Sequence, residues 1–289
     1  MLVKSYAKIN LSLKNLGRRE DGYHLLDMIN VPLELHDVLE IDFSPLYKET
    51  YIVCDDVRLM GLRSNICKKA LDLLRAKCGF KQHFLIHIHK EIPFAAGLGG
   101  GSSNAAALLL ALNKKLKLDL NDEELDEIAL KVGSDVPFFL RNRAARVTGI
   151  GEQIRYISHP KAYHCLLIKP EQGLSTKDVY DICDSFESRA KIDNDQVEMG
   201  LKNEEDTLIG KYRGNDLFYA AKSLCPAVGD IAAELNKDGY TIFGMSGSGS
   251  TMFALSNDMK KLNASADKFE KRGYQVILTK TISSSEHVK

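Results

Sequence analysis

The feature that most constrains the fold is a glycine-rich segment, PFAAGLGGGSSNAAALLLALN, which spans Pro93 to Asn113. Glycines at 97, 99, 100 and 101 precede two serines and then a run of strong helix formers. Glycine lacks a Cβ atom and tolerates positive φ angles, so such a loop brings backbone amides close to a ligand. A helix expected over 105–116, capped by Ser102, Ser103 or Asn104, adds unpaired N–H groups and a positive dipole end. The segment favours phosphate binding over a flexible linker or a tight turn.

The segment matches neither of the two common nucleotide-binding motifs. A Walker-type loop requires a lysine before its Ser or Thr, and Ser102-Ser103-Asn104 supplies none. A dinucleotide fingerprint requires glycine at the position of Ser102. The positive charge that faces the phosphates is therefore expected to come from elsewhere in the chain.

Charge and cysteine content narrow the class of protein. Lys+Arg and Asp+Glu both number 39 in 289 residues, so no net charge attracts nucleic acid or an anionic membrane. We find no run of some 18 apolar residues and no signal-peptide pattern, which predicts a cytoplasmic protein. The six cysteines include no C-x-x-C pair and are expected to be reduced, mostly buried thiols.

Hydrophobic periodicity predicts alternating strands and helices in two domains, 1–160 and 161–289. Near the N-terminus, alternate apolar residues predict a half-buried strand whose opposite, polar face carries Lys8, Asn10 and Ser12. Asn121 and Glu124 have the spacing of a helix capping box. The polar stretch 193–206 is expected to be a long loop.

Four motifs resemble those of a known superfamily. PFAAGLGGGSSNAA resembles the second motif of the GHMP kinases, named after galactokinase, homoserine kinase, mevalonate kinase and phosphomevalonate kinase. AKINLSLKNLGRREDGYHLLDMINVPLELHDVLEI, GSDVPFFL and FGMSGSGSTMFAL resemble, in the same order, motifs of a member family that acts on an alcohol carrying cytidine diphosphate. The resemblance implies an α+β, two-domain GHMP kinase fold with a ribosomal S5-like, ATP-binding N-terminal domain and a ferredoxin-like C-terminal domain. It also implies ATP-dependent phosphorylation of a hydroxyl group in isoprenoid precursor synthesis, with Mg²⁺ accompanying ATP.

The same resemblance implies roles for individual residues. Lys8 and Asp135 are the expected catalytic residues, with Asp135 receiving the proton of the substrate hydroxyl and Lys8 keeping that carboxylate ionised. The expected substrate-binding residues are Asn10, Tyr23, His24 and Tyr180, with the two tyrosines stacking on cytosine. Metal ligands are left unassigned. The expected ATP-binding residues are Pro93, Phe94, Ala95, Ala96, Gly97, Leu98, Gly99, Gly100, Gly101, Ser102 and Ser103.

Taken without the resemblance, these residues allow plainer interpretations. Lys8 is also typical of a solvated strand, Asp135 of a helix cap or turn, and Tyr23 of a packed turn. The second glycine segment, Gly244 to Ser250, fits either a loop over a diphosphate or a hairpin turn. His83, His87 and His89 are expected to share a polar strand face rather than to bind a metal.

Other functions stay open at this point. Within the kinases, the alternative is an enzyme for another small alcohol, such as mevalonate or homoserine. A dinucleotide-dependent oxidoreductase and an RNA-binding protein are the rival classes, but the fingerprint spacing and the zero net charge respectively argue against them. We expect small-molecule partners only, and a monomer or weak homodimer.

Overall fold

The structure is a computed structural model that describes residues 1–56, 65–186 and 191–284. In these residues strands and helices alternate, as the periodicity predicts. The strands are β1 (Leu2–Arg18), β2 (His24–Phe43), β3 (Tyr51–Cys54), β4 (Phe84–His89), β5 (Ala145–Gly149), β6 (Gln153–Tyr156), β7 (His164–Lys169), β8 (Ile242–Met245), β9 (Met252–Ser256) and β10 (Gln275–Lys280). The helices are α1 (Ile66–Cys78), α2 (Gly100–Leu116), α3 (Asp122–Val132), α4 (Val136–Phe139), α5 (Thr176–Cys183), α6 (Asn194–Asn203), α7 (Asp206–Tyr212), α8 (Phe218–Leu224), α9 (Pro226–Lys237) and α10 (Met259–Glu270).

The chain folds into two compact units. Residues of β1 and of β2 fall in both units. The predicted domain boundary near residue 160 divides the sequence into two continuous parts, whereas each unit consists of several segments, so this boundary stays a prediction. The first unit comprises Met1–Ala7, Leu35–Pro93 and Gly99–Asn142, and the second Lys8–Glu34, Phe94–Leu98 and Arg143–Lys289.

In its described residues, the first unit combines a short sheet with four helices. β4 pairs antiparallel with the end of β2, and β3 pairs parallel with β4. The glycine-led helix α2 is buried continuously from Ser103 to Leu109, because α1, α3 and α4 all pack against it. Asn121 and Glu124 form the predicted capping box at the start of α3. The helix that follows the glycines is therefore the core of this unit.

The second unit contains a four-stranded antiparallel sheet in the order β10-β7-β9-β8. Numbered within the sheet, this order is 4-1-3-2, with helices between its first and second strands and between its third and fourth. That topology is the predicted ferredoxin-like arrangement. The beginning of β2 also pairs in this unit with β5, and β5 pairs with β6.

Two local predictions are wrong. The stretch 193–206 is not a loop: Asp193 caps α6 with its side chain, and α6 buries Val197 and Leu201, one helical turn apart. A Cβ atom on Gly200 would lie 2.8 Å from Ile209 of α7, so this glycine permits a close helix contact that the polar composition conceals.

The strand β1 is not half-buried either. Lys8, Asn10 and Ser12 are only 4%, 1% and 0% exposed, so both faces of this strand are covered. On this covered face, Lys8 donates to Asn10 and Asn10 donates to Asn30, contacts that period-two alternation cannot reveal. Five of the six cysteines are buried and all are free thiols, as predicted. Across the described parts of the chain, no helix is both long and apolar enough to cross a membrane.

Candidate active site

The glycine-rich segment adopts the backbone geometry that its composition predicts. Ala95, Gly97 and Gly99 have φ angles of +50°, +73° and +74°, and α2 begins directly afterwards at Gly100. Positive φ angles within a turn can direct successive amide groups toward one side of the chain. This conformation suits the wrapping of an anion.

The helix that follows starts earlier than expected, and its predicted caps are wrong. Its N-cap is Gly99, which has no side chain to accept a hydrogen bond, whereas Ser103 and Asn104 lie inside the helix. The buried hydroxyl of Ser5 contacts Ser103 Oγ at 2.8 Å and donates to Asn104 Oδ1 at 2.6 Å, so both side chains are engaged within the first unit. The first-turn amides therefore have neither an intrahelical acceptor nor a side-chain cap, which is the arrangement an anion can satisfy.

The two glycine segments meet in the second unit. A Cβ atom on Gly97 would lie 2.1 Å from the Ser246 carbonyl oxygen, and one on Gly247 would lie 3.1 Å from the Gly97 carbonyl oxygen. The Ser246 hydroxyl donates to the Gly97 carbonyl at 2.9 Å. Of the two interpretations left open for the second segment, a hairpin turn is present, because it joins the antiparallel strands β8 and β9. Its tip also packs on the first glycine segment, which a simple turn does not require.

Lys8 lies in a buried polar cluster rather than on a solvated face. Its ammonium group donates to Asn10 Oδ1 at 2.5 Å, and its backbone N–H donates to the Leu98 carbonyl at 3.0 Å. The Asn10 amide donates in turn to Asn30 Oδ1 at 2.7 Å. Each of these side chains restrains the next, so the Lys8 ammonium is held in one position at the glycine segment.

Asp135 belongs to the first unit and directly precedes α4. Its side chain is half-buried and makes no capping hydrogen bond to that short helix, whose four residues are all buried. Of the two interpretations of this residue, the capping role lacks the hydrogen bond that defines it. The carboxylate is thus partly removed from water, as the sequence predicts.

The Asp-Gly-Tyr-His stretch forms a tight turn before β2. Gly22 has φ of +89°, the Asp21 carboxylate accepts from the Tyr23 amide at 3.3 Å, and the Tyr23 carbonyl accepts from the Arg19 amide at 2.7 Å. The turn leaves the Tyr23 side chain 60% exposed, while His24, the first residue of β2, is only 9% exposed. An exposed aromatic ring held by a braced turn is available for stacking on a ligand.

His24 has partners that the sequence did not indicate. Its Nε2 lies 3.0 Å from Asp184 Oδ1 and 3.7 Å from the Cys183 sulfur, and its ring lies against Tyr180 with centroids 4.9 Å apart. The structure thus brings together two of the four predicted substrate-binding residues, whereas the cytosine sandwich by Tyr23 and Tyr180 stays a prediction. Cys183 ends the helix that carries Tyr180, and Asp184 is its C-cap. Their short spacing from Tyr180 was the sequence signal that could have placed them near the substrate-binding residues.

The pKa values of Asp184 and Cys183, the two neighbours of His24, are shifted in opposite directions. Desolvation acts to raise the pKa of Asp184, but the hydrogen bond and charge of His24, together with the Cys183 hydrogen bond and the Arg18 charge, outweigh it, so the net pKa is lowered. Burial, followed by the charge of Asp184, raises the pKa of Cys183 to about 12. At neutral pH the pair is therefore a carboxylate beside a protonated thiol, and the thiol is a poor nucleophile.

His87 and His89 share one face of β4, as predicted, and carboxylates lie beside them, whereas the third histidine, His83, precedes this strand. Asp55 accepts from both rings, and Glu40 lies 3.3 Å from His89 Nε2. The hydrogen bond to His87 is the main cause of a lowered pKa at Asp55. These contacts account for the polar face.

The chain matches known protein families and individual relatives. Residues 65–143 match the family described as GHMP kinases N terminal domain, and residues 200–275 match GHMP kinases C terminal. A 4-diphosphocytidyl-2-C-methyl-D-erythritol kinase of Thermoanaerobacter pseudethanolicus is 36% identical over 280 residues, covering 97% of this chain and 96% of the relative. The enzyme of that name from Clostridium botulinum is 37% identical over 284 residues, covering 98% and 100%. A crystal structure of 4-(cytidine 5'-diphospho)-2C-methyl-D-erythritol kinase aligns with a TM-score of 0.80 at 27% identity, covering 97% and 99%.

The α+β fold and the two matched domains define a GHMP kinase, an enzyme that transfers a phosphoryl group from ATP to a small molecule. Within that class, the chain belongs to the 4-diphosphocytidyl-2-C-methyl-D-erythritol kinase family, since it matches these relatives over nearly its whole length. The predicted class and fold are thereby confirmed. The kinase is favoured over both the dinucleotide-dependent oxidoreductase and the RNA-binding protein.

Proposed function

We propose that this enzyme transfers the γ-phosphoryl group of ATP to the 2-hydroxyl of 4-diphosphocytidyl-2-C-methyl-D-erythritol, a step of non-mevalonate isoprenoid precursor synthesis. The observation that carries the proposal is the 36–37% identity, over at least 96% of each relative, to kinases named for this substrate. Mevalonate or homoserine kinase activity is the less favoured alternative.

The glycine segment from Pro93 to Ser103 binds the ATP phosphates in this proposal. Support comes from the positive φ angles at Gly97 and Gly99 and from the uncapped first turn of α2. Amide donors fixed in the fold before the reaction need no reorganisation when negative charge moves during phosphoryl transfer. The segment thus holds ATP by backbone groups, which explains why no Walker lysine is required.

Asp135 accepts the proton of the substrate hydroxyl, and Lys8 supplies the positive charge at the reacting centre. The matched motifs suggest these roles, and two observations support them separately. The Asp135 carboxylate is half-buried and is not used as a helix cap. The Lys8 ammonium is buried and positioned by Asn10. Proton transfer to a positioned base contributes typically about 10²- to 10⁴-fold to the rate.

Tyr23, His24, Asn10 and Tyr180 recognise the substrate. The exposed Tyr23 ring is available to stack on cytosine, and His24 offers directional hydrogen bonds to the edge of the base. Because Asp184 already accepts from His24 Nε2, this carboxylate selects the tautomer with the proton on Nε2. The other ring nitrogen, Nδ1, is then an acceptor that suits the exocyclic amine of cytosine.

Mg²⁺ accompanies ATP and is held mainly by phosphate oxygens and water, which is its usual mode in kinases. Ser103 is poorly placed to add a ligand, because its hydroxyl contacts Ser5 inside the first unit. When bound, the ion neutralises part of the phosphate charge.

We further propose a cytoplasmic enzyme, supported by the free thiols of all six cysteines, and a monomer or weak homodimer.

An assay of ADP release with three substrates in parallel tests the proposed function. We expect turnover with 4-diphosphocytidyl-2-C-methyl-D-erythritol and none above background with mevalonate or homoserine. Equal or greater turnover with either of the other alcohols would overturn the assignment of the substrate, while leaving the kinase class intact.

A further inference from the structure

The second unit contains a cavity of about 410 Å³ that involves none of the predicted site residues. It lies among β1, β8, β9, α8 and α9, and its volume falls within the range of small-molecule sites, roughly 300–1,000 Å³. Most of its wall is apolar, and the larger side chains are Leu11, Phe218, Tyr219, Phe243, Met245 and Met252. Such a wall suits an aliphatic group.

One cation in this wall lacks a counterion. The Arg213 guanidinium lies 4.1 Å from the centroid of the Phe243 ring, and its buried Nε has no hydrogen-bond partner. Among the residues that the structure describes, no carboxylate forms an ion pair with Arg213. Desolvation lowers the pKa of Arg213 to about 10, so the side chain still carries its charge at neutral pH. A buried charge without a partner costs stability, and an anion in the cavity would offset that cost.

A second cation lies at the same cavity. Lys222 of α8 is exposed, and its aliphatic stem crosses Gly229 of α9, where an added Cβ atom would lie 2.6 Å from the Lys222 Cε. The glycine therefore makes room for the lysine to lie across this wall. Arg213 and Lys222 together make the electrostatic potential in the cavity positive. The mainly apolar wall has a low dielectric constant and therefore weakens this potential little.

Asn215, a further polar residue of the wall beside Tyr219, already has hydrogen-bond partners. The Asn215 side-chain amide donates to the Met245 carbonyl at 2.9 Å and to the Gly247 carbonyl at 2.8 Å. It therefore has no donor left with which to read a base or a sugar. Two cations in a mainly apolar wall favour a ligand with one charged end and an apolar remainder.

We propose that this cavity is a binding site for a small amphipathic anion, in which a phosphate or carboxylate head pairs with Arg213 and Lys222 and a short aliphatic chain packs on the aromatic and methionine side chains. Both parts of the ligand are required. The head replaces the missing counterion, and the chain fills the apolar volume.

Calorimetric titration of the whole enzyme with hexyl phosphate tests the proposal, with 1-hexanol and inorganic phosphate as the headless and tailless probes. We expect saturable 1:1 binding of hexyl phosphate that persists in excess ATP, and binding of the other two probes that is weaker by about tenfold or more. Arg213→Met should weaken binding of hexyl phosphate by about thirtyfold or more, because it removes one partner of a desolvated charge pair. Arg272→Met, which alters an exposed arginine also stacked on aromatic rings, should leave binding unchanged.

A stability measurement separates a ligand site from a structural arginine. Without ligand, Arg213→Met should melt at or above the wild-type temperature, and hexyl phosphate should raise the melting temperature of the wild type alone. Should Arg213→Met fail to fold, Lys222→Met gives the same binding comparison. The proposal is overturned if Arg213→Met binds hexyl phosphate as tightly as Arg272→Met does, or if ATP displaces the probe. It is also overturned if inorganic phosphate binds as tightly as hexyl phosphate, which would indicate an adventitious ion only.

Discussion

The hydroxyl of Ser246 donates to the carbonyl of Gly97 at 2.9 Å and accepts from the backbone N–H of Asn10 at 3.2 Å. One buried side chain thus joins three segments that are far apart in the sequence. Asn10 and Lys8 both lie in β1. The Ser246 contact therefore couples the conformation of the first glycine segment to the position of the Lys8 ammonium.

The contact predicts that Gly97 tolerates no side chain. In Gly97→Ala, a Cβ atom would lie 2.1 Å from the Ser246 carbonyl oxygen, at a φ of +73°. We expect the free energy of unfolding to fall by roughly 2–5 kcal/mol, because the steric clash adds to the strain of the left-handed backbone, and the KM for ATP to rise. Urea denaturation and initial-rate kinetics measure the two effects.

Gly79→Ala is the matched control for this variant. Gly79 has nearly the same φ, +72°, but no atom lies within 4 Å of its added Cβ position. It should lose about 1–2 kcal/mol, from the strain of a left-handed backbone alone, and keep its KM for ATP. Equal losses in the two variants would mean that the contact with Ser246 is unimportant.

Asp135 is predicted to act in catalysis rather than in folding. Asp135→Ala should lower kcat by about a hundredfold or more and leave the melting temperature near that of the wild type, since no capping bond is lost. Asp258→Ala provides the opposite case, because Asp258 caps α10 through the Lys261 amide. It should lose about 0.5–2 kcal/mol of stability and keep full turnover. Normal turnover in Asp135→Ala would remove this residue from the role of base.

Tyr23 is predicted to contribute to substrate capture. Its side chain is 60% exposed, so Tyr23→Ala creates no cavity and should leave stability unchanged. The KM for the cytidyl substrate should rise by about tenfold, which corresponds to a loss of about 1.4 kcal/mol of stacking, while the KM for ATP stays constant. Tyr51→Ala, at a tyrosine that is 50% exposed in β3, should change neither constant. Steady-state kinetics with each substrate varied in turn makes the measurement, and an unchanged KM for the cytidyl substrate would refute the stacking role.

The pairing of Asp184 with His24 predicts an acid-dependent contribution to stability. Because the folded pKa of Asp184 lies below its ordinary value, the stabilisation is complete above about pH 4 and is lost as the pH falls through the lower, folded pKa. The Asp184 side chain is 45% exposed, so the effect is at most about 1 kcal/mol.

Urea denaturation between pH 3 and pH 6 tests this prediction. The difference in free energy of unfolding between the wild type and Asp184→Asn should shrink as the pH falls. Asp181→Asn, an exposed position on the same helix, should show no such trend. A difference that is constant with pH would show that the Asp184 charge does not stabilise the folded state.

The sequence by itself determined the class of this protein and much of its secondary structure. Four glycines before a helix-forming run predicted the loop with positive φ angles, and Asn121 and Glu124 predicted a capping box that is present. Such features depend on backbone freedom and on hydrogen bonds between residues a few positions apart. They can therefore be inferred from residue types and short spacings alone.

Only the tertiary structure decided which groups are buried and what they contact. Four such properties depend on segments far apart in the chain. They are the covered polar face of β1 around Lys8, the start of α2 at Gly100, the position of Asp184 beside His24 and the lack of an ion pair at Arg213 within the described residues. A local pattern records the period of a strand or helix but not which segment packs against it. Desolvation and pairing arise from that packing, so these properties could not be inferred from spacing.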